Sequence, residues 1–544
     1  MRPLSIKGRQ SIGMRLTALL VTGLLGIAAC GGDGGGAAGG HQAAGGRFSV
    51  QLGSDPENLL IPGDTTEMEG NQVLKAMFTP LVGYNVETSA LEYSGVAESI
   101  ESSDNTTWTV KLKPGWTFHD GTPVTSRSFV DAWNYTANAG NAQSASYFFS
   151  NIEGYNAEAP SETLSGLAVV DDQTFTVKLA EPFSQFPLTV GYMAFAPLPQ
   201  AFFADPAAFG RKPIGNGPFT ADTEFVPGQG ITVSRFDAYP GEKPIADVVE
   251  FRVIADVNTA YNELLANNLD IVRPRIPPEL IPTAQQELGD RFIQRESAGF
   301  TYMGFPLYDP RYADKRVRQA FSMAVDRAAI TQAIFSGARE PAFDVIPPVI
   351  DGHRPDACQY CRFDPVAAKA LLDQTGFDKS APVELWFNAG AGHDQWVQAV
   401  GNQLQQNLGV SYTLRGDLDF DQYLPLQDEK GITGPFRLGW GMDYPSPQNF
   451  LEPLFSTSAL PPGSNTTFYS SPEFDRLVDQ GNVATDNAQA IALYQQADDV
   501  LLEDMPMMPM FFNKVQGAHS TNVQNVRFDG FEDVVLTEVQ PVNP

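Results

Sequence analysis

The sequence predicts a multi-domain α/β protein with about two to four domains. Its 544 residues are 42% hydrophobic and 18% charged, which is the composition of a folded chain with a sizeable core. Segments with the two-residue alternation typical of strands are interspersed irregularly with segments of helical spacing. After the first 29 residues, no stretch has the length and apolarity of a membrane helix.

The first 30 residues have the layout of a secretory signal. Leu16–Ala29 is apolar and precedes Cys30, and the leader before it has no acidic residue and four basic ones, Arg2, Lys7, Arg9 and Arg15. This layout is similar to a bacterial lipoprotein signal, which implies that residues 1–29 are removed and that Cys30 is lipidated. The alternative is an ordinary signal peptide with an incidental cysteine. Residues 30–46, rich in glycine and alanine, predict a flexible linker.

The chain is strongly acidic, and this limits its partners. Its formal net charge is -29, and removing the four basic residues of the leader makes it -33. Nucleic acid and anionic lipid headgroups are repelled by such a surface, so we expect neither as a partner.

Cys358 and Cys361 form a C-x-x-C pair with three possible interpretations: a local disulfide, a thioredoxin-like redox pair or half of a zinc site. The five histidines show no metal-ligand spacing, and the pair lies in the proline-rich segment 347–365 rather than at the start of a helix. A secreted protein meets an oxidising compartment, which favours the disulfide. We therefore expect no metal site and no cofactor.

Local patterns predict the following elements. Residues 104–112 and 171–179 share a turn signal followed by alternation, which predicts two strands of one antiparallel sheet. Their predicted inward faces are Trp108, Val110, Leu112, Phe175, Val177 and Leu179. Helical spacing predicts helices at 126–138, 315–335, 364–376, 472–481 and 489–504. Within 315–335, we expect Asp326 and Arg327 to form an ion pair that fixes the helix.

Several ordered motifs resemble a known family. They are 97–99, 108–115, 118–125, 213–219, 317–327 and 440–445. In this order they are similar to the family 5 extracytoplasmic solute-binding proteins, the oligopeptide- and dipeptide-binding components of ABC importers. The resemblance covers nearly everything after the linker.

The resemblance implies a periplasmic-binding-protein-like fold of type II, or cluster C, with two lobes, an additional domain and a hinge between the lobes. It also implies domain boundaries. Domain I would comprise 47–84, 213–305 and 513–544, domain II 85–212, and domain III 306–512.

The segment Trp440–Tyr444 is the strongest candidate for ligand binding. A carboxylate flanked by aromatic rings, in a loop rich in glycine and proline, is suited to hold a cation. The resemblance implies that Asp443 takes the α-ammonium of a bound peptide and that Trp440 walls a side-chain pocket. The structural alternatives are a turn cap for Asp443 and a core position for the aromatic ring.

Three further residues are candidates on the resemblance alone. Arg437 matches an arginine that helps to receive a ligand carboxylate, and Tyr423 matches an aromatic pocket residue. Tyr147 lies in 146–149, where the second domain of the family approaches the ligand, as the first does at 67–71. The structural alternatives are an ion pair for Arg437 and a core position for Tyr423.

These observations together predict a lipid-anchored receptor, not an enzyme, on the outer face of the cytoplasmic membrane. The resemblance implies that it is a monomer that captures oligopeptides between two lobes and delivers them to an ABC permease and its ATPase subunits. The alternatives are the same fold with another solute, such as an oligosaccharide, nickel, haem or an opine, and a sensor that presents a peptide signal. A secreted glycosidase is a further alternative, because it needs only two carboxylates across a cleft.

Overall fold

We describe residues 45–273, 276–461 and 463–542 of a computed structural model. The predicted signal peptide, the lipidation site Cys30 and all but the last two residues of the linker lie outside the described residues. Within the described part of the chain, no helix is both long enough and apolar enough to cross a bilayer.

The strands of the described chain run, in order, as follows: β1 Arg47–Leu52, β2 Gly83–Tyr84, β3 Leu91–Glu92, β4 Ala97–Glu101, β5 Thr107–Leu112, β6 Leu167–Asp171, β7 Thr174–Lys178, β8 Phe219–Ala221, β9 Gly230–Arg235, β10 Val248–Val253, β11 Ile271–Val272, β12 Phe292–Gly304, β13 Arg339–Pro341, β14 Val383–Trp386, β15 Tyr412–Arg415, β16 Phe436–Trp440, β17 Met507–His519, β18 Val523–Gln524 and β19 Gln540–Pro541.

The α-helices run as follows: α1 Met68–Met77, α2 Ser126–Ala137, α3 Phe186–Thr189, α4 Gln200–Ala204, α5 Pro206–Arg211, α6 Val257–Leu265, α7 Ile281–Leu288, α8 Lys315–Met323, α9 Arg327–Phe335, α10 Pro365–Leu372, α11 Asp394–Leu408, α12 Phe420–Asp428, α13 Gln448–Phe455, α14 Pro472–Val483 and α15 Asn487–Asp504. Ser146–Phe149 forms a short 3-10 turn.

One large mixed sheet runs through the protein in the order β15-β14-β16-β12-β17-β11-β1-β10-β9-β8, with β13 paired to β17. Buried side chains collect into two main cores on this sheet. The first core draws on residues between Phe48 and Ile271 and between Val515 and Val539, together with Tyr444. The second draws on residues between Ala298 and Phe512. We call the parts of the chain around these two cores the first lobe and the second lobe.

The two lobes are connected through the antiparallel pair β12 and β17, each 13 residues long. Their register is regular up to Glu296 opposite Lys514 and resumes at Phe300 opposite Phe512. Residues 297–299 of β12 therefore face Asn513 alone, and the ladder is interrupted there. A second register shift follows between Thr301 and Tyr302. Irregularities of this kind interrupt the pairing and bend the strand between the lobes.

The predicted strands 104–112 and 171–179 are confirmed as β5 and β7. They pair antiparallel, with Trp108 opposite Val177 and Val110 opposite Phe175, within the four-stranded sheet β4-β5-β7-β6. All six side chains predicted to face inward are buried. The helix α2, predicted at 126–138, packs Phe129 and Trp133 against Phe175.

The single helix predicted for 315–335 is wrong, because the chain forms α8 and α9 with a break between them. Asp326 caps the second helix by accepting a hydrogen bond from the Ala329 amide at 2.9 Å. The expected ion pair with Arg327 does not form. The Arg327 guanidinium is buried and donates to the carbonyls of Ser322, Val325, Cys361 and Pro509. A capping carboxylate is satisfied by backbone amides and has no need of the arginine.

The other three predicted helices are confirmed as α10, α14 and α15. Asp364 caps α10 by accepting from the Ala367 amide at 2.9 Å, and Pro365 occupies the first helical position, which needs no amide hydrogen bond. Just before this helix, Cys358 and Cys361 are joined by a disulfide and both are buried in the second core.

Candidate ligand-binding cavity

A cavity of about 820 Å³ lies between the lobes. Its walls come from segments far apart in the chain: α1 and the loop after it, the turn that contains Tyr147, the bulge of β12, the end of β16 with the loop that follows, and the segment 529–537. Volumes of ~300–1,000 Å³ are typical of ligand sites. The cavity therefore has room for a ligand enclosed by both lobes.

Asp443 lines this cavity, as the sequence predicts for a ligand-binding residue. Its carboxylate is half-buried, and its side-chain partner among the described residues is Asn449, whose Nδ2 donates to Oδ2 at 3.2 Å. The Asp443 amide in turn donates to Asn449 Oδ1 at 2.9 Å. Burial raises the pKa of Asp443 from its ordinary 3.8 to about 6, although the hydrogen bond from Asn449 opposes the shift. Among the described residues, no cationic side chain pairs with this carboxylate.

Trp440 lines the cavity beside Asp443, and the same asparagine holds both residues. The indole Nε1 of Trp440 donates to Asn449 Oδ1 at 3.3 Å. Asn449 lies in the first turn of α13 and is buried, so its orientation is fixed by the second lobe. It is a positioning residue that sequence reasoning missed, because nothing in the local pattern distinguishes it from other helical asparagines.

Arg437 also lines the cavity, and it makes no ion pair within the described chain. Its Nη1 donates to Asn388 Oδ1 at 3.1 Å, and its buried Nε finds no hydrogen-bond partner in the part of the chain that the structure describes. Burial lowers the pKa of Arg437. Arg437 therefore does not pair with a structural acid among the described residues, which was its alternative role.

Tyr423 lies beneath the cavity and not in its wall. The side chain is fully buried, and its hydroxyl donates to the carbonyl oxygen of Arg437 at 3.0 Å. Here the structure differs from the pocket role that the resemblance implied. This hydrogen bond ties α12 to β16, the strand that presents Arg437.

Tyr147 enters the cavity from the first lobe. It is 52% exposed and stacks on Phe148 with ring centroids 4.4 Å apart, and Phe148 stacks on Tyr192 at 4.3 Å. Burial raises the pKa of the Tyr147 and Tyr192 hydroxyls, and the nearby Asp443 carboxylate raises it further. The aromatic stack of the first lobe thus faces the carboxylate of the second.

The wall of the cavity formed by α1 and 529–533 carries charges that sequence reasoning missed. Lys75 pairs with Asp529 at 3.1 Å and with Asp533 at 2.7 Å, and its ammonium lies 4.4 Å from the centroid of the Phe531 ring. Asp533 also pairs with the buried Arg273 at 3.1 Å. The segment 67–71 pointed to this helix, but no local pattern marks 529–533, which is some 450 residues away and adjacent only in the fold.

A second cavity of about 860 Å³ lies nearby, lined by 87–91, 184–188, 348–353 and 445–447 among others. It contains none of the predicted ligand-binding residues. Since Asp443 and Arg437, which make no ion pair among the described residues, both line the first cavity, we take the first as the candidate site.

Comparisons with known proteins agree with this architecture. Residues 93–461 match the family model described as bacterial extracellular solute-binding proteins, family 5 Middle. The oligopeptide-binding protein OppA of Escherichia coli is 28% identical over 437 residues, which cover 77% of this chain and 78% of OppA. OppA of Bacillus subtilis is 26% identical and covers 97% and 98% of the two chains.

Solved structures share the fold. The murein tripeptide binding protein MppA of E. coli superimposes with a TM-score of 0.74 at 23% identity, covering 92% of this chain and 99% of MppA. The predicted fold class, a two-lobe α/β binding-protein fold of type II, is confirmed.

Proposed function

Because the chain belongs to the bacterial extracellular solute-binding proteins of family 5, we propose that it is the extracytoplasmic receptor of an ABC importer and that it captures oligopeptides in the cavity between its lobes. In this role it binds and releases its ligand without chemical change. The ligand is handed to a membrane permease driven by ATPase subunits.

The half-buried Asp443 carboxylate is the observation that carries the peptide assignment. It pairs with no cationic side chain of the described residues, burial raises its pKa, and aromatic rings from both lobes line the same cavity. A peptide α-ammonium donates charge-assisted hydrogen bonds to such a carboxylate and gains cation–π attraction from the rings. Arg437, which lines the same cavity and makes no ion pair with any described residue, receives a carboxylate of the ligand.

The connection between the lobes supports a hinge motion. The ladder between β12 and β17 is interrupted at 297–299, and Ala298 and Gly299 at this point line the cavity. A ligand that contacts both lobes favours the closed arrangement because it has more contacts there.

We also propose a location, an oligomeric state and domain boundaries for the protein. A lipid on Cys30 would hold the protein at the outer face of the cytoplasmic membrane as a monomer, and the linker 30–46 would give it reach. We propose domain I at 47–84, 213–305 and 513–544, domain II at 85–212 and domain III at 306–512. The layout of the predicted signal peptide and the extracytoplasmic location of the relatives support this location.

Native mass spectrometry of the purified protein tests this proposal, because receptors that enclose a ligand retain it. We expect excess masses that match a mixture of short peptides and disappear after unfolding and refolding. A single non-peptide mass, or products formed from added oligosaccharides, would instead support the other solutes or the glycosidase.

A further inference from the structure

The loop that carries Asp443 is held from the opposite lobe. This loop, residues 441–447, connects β16 to α13 in the second lobe. Within it, Ser446 Oγ donates to Oε1 of Gln185, a residue of the first lobe, at 2.9 Å. Ser446 is fully buried and Gln185 is 3% exposed, so bulk water does not replace either partner when the other is lost.

Gln185 is itself held in one orientation. It lies directly before α3, and its Nε2 donates to Ser184 Oγ at 3.1 Å. The Ser184 hydroxyl in turn donates to the carbonyl of Gly481, in α14 of the second lobe, at 3.1 Å. With its amide nitrogen engaged in this way, Gln185 presents its oxygen to Ser446.

Tyr444 attaches the same loop to the first lobe at a second point. Its ring is buried in the first core and packs edge-to-face against Phe183, with ring centroids 6.4 Å apart. Its hydroxyl donates to Gln448 Oε1 in the first turn of α13. The residue directly after Asp443 is therefore inserted into the first lobe.

Ser446 connects this contact to the Asp443 carboxylate. Its Oγ accepts from the Gln448 amide at 3.2 Å and its carbonyl accepts from the Asn449 amide at 3.1 Å. These are among the first amides of α13, which have no partner within the helix. The Asn449 side chain bonds to both the amide and the carboxylate of Asp443. A continuous series of hydrogen bonds thus runs from Gln185 in the first lobe to Asp443 in the cavity.

We propose that Gln185 is a positioning residue for the Asp443 carboxylate and acts on it through Ser446. The inference rests on the proposed function and specifies how the first lobe acts on the ligand-binding residue of the second. A carboxylate that is oriented in advance binds an ammonium more tightly, because less side-chain freedom is lost on binding. The orientation of Asp443 is therefore coupled to the contact between the lobes.

Calorimetric titration of Gln185→Leu with two peptides tests this inference. Leucine is close to glutamine in size but cannot accept the hydrogen bond from Ser446. Ala-Ala-Ala should bind the variant about fivefold to tenfold more weakly than it binds wild type, as for one lost buried hydrogen bond. N-acetyl-Ala-Ala-Ala, which has no ammonium for Asp443, should bind both proteins equally. A general disturbance of the cavity would weaken both peptides alike.

A second variant assigns the effect to the bond between Gln185 and Ser446. Ser446→Ala should reproduce the loss of affinity for Ala-Ala-Ala. In the double variant the two losses should be clearly less than additive, because either change breaks the same bond.

Asn105→Gly is the matched control. The Asn105 Nδ2 donates to the carbonyls of Val483 and Ala484 at 3.3 and 3.0 Å, so it also joins the lobes, but it does not contact the 441–447 loop. Glycine removes both hydrogen bonds and accommodates the positive φ of 55° at this position. The control should bind both peptides as wild type does.

The outcomes separate this inference from the proposed function. An unchanged affinity of Gln185→Leu for Ala-Ala-Ala, an equal loss for the acetylated peptide, or additive losses in the double variant overturns the inference alone. If Gln185→Leu does not fold, Ser446→Ala, which removes only a hydroxyl, is judged by the first two criteria. Wild-type protein that binds no tripeptide, or that binds the acetylated peptide as tightly as the free one, overturns the proposed peptide assignment and the inference with it.

Discussion

Replacing Asp443 with asparagine should move binding and stability in opposite directions. The variant keeps the size of the side chain and the hydrogen bond with Asn449 but removes the charge. Without the Asp443 charge, the ammonium of a bound peptide has no counter-charge in a cavity closed by both lobes. Losing one partner of such a pair costs about 2–3 kcal/mol when an amide remains, which weakens binding roughly 30-fold to 150-fold.

The stability of the unliganded protein should rise. The pKa of Asp443 is raised from 3.8 to about 6, which corresponds to roughly 3 kcal/mol against the ionised form if fully expressed. The carboxylate is half-buried, so solvent screening reduces this to about 1–2 kcal/mol. The folded state holds the Asp443 proton more tightly than the unfolded chain does. This tighter binding stabilises the folded state below about pH 4, and the stabilisation is lost as the pH rises to about 6. Asp443→Asn has no ionised carboxylate to bury, so the unliganded variant is more stable than wild type at pH 7.5.

Calorimetry with Ala-Ala-Ala and urea unfolding at pH 7.5 measure the two effects, with Asp172→Asn, an exposed turn residue, as the control. N-acetyl-Ala-Ala-Ala should bind wild type and Asp443→Asn equally weakly, since it has no ammonium. Unchanged affinity for the free tripeptide, or a variant less stable than wild type, would refute the reasoning.

Peptide affinity of the wild type should fall about tenfold between pH 7.5 and pH 5, because Asp443 must lose the proton that it holds with a pKa of about 6; a flat titration profile would contradict this. Arg327→Met should lower the free energy of unfolding by about 3–5 kcal/mol, because four backbone carbonyls lose a buried donor, and a loss below 1 kcal/mol in urea unfolding would exclude this role. Replacing Cys358 and Cys361 together by alanine, which adds no buried hydroxyl, should cost about 2 kcal/mol, since the closed loop is short, and should leave peptide affinity unchanged; a loss above 4 kcal/mol would contradict a contribution from loop closure alone.

Elements with a purely local cause could be predicted from the sequence. The strands β5 and β7 alternate because one face of their sheet is buried, and the pairing partner carries the same pattern after the same turn. The cap of α10 is equally local, since Asp364 and Pro365 are adjacent. Such patterns need no knowledge of the rest of the fold.

The break between α8 and α9 could not be predicted in this way. Arg327 faces carbonyls that include those of Cys361 and Pro509, 34 and 182 residues away, and only the folded chain brings them together. In a sequence, an adjacent aspartate and arginine look like an ion pair. The structure instead uses the aspartate as a cap and the arginine as a buried donor.

The candidate site was predicted in part. Trp440 and Asp443 belong to one compact motif, and the resemblance indicated Tyr147 and the segment 67–71, whereas no local pattern indicated 529–533, which lines the same cavity. For Tyr423, the resemblance alone could not distinguish a residue in the cavity wall from one in the layer beneath it.

A crystal structure of the protein with Ala-Lys-Ala bound tests the central claim most directly. The account predicts the peptide in the cavity between the lobes, with its α-ammonium about 3 Å from the Asp443 carboxylate and its terminal carboxylate at Arg437. A peptide bound in the second cavity, or one whose ammonium makes no contact with Asp443, would contradict it.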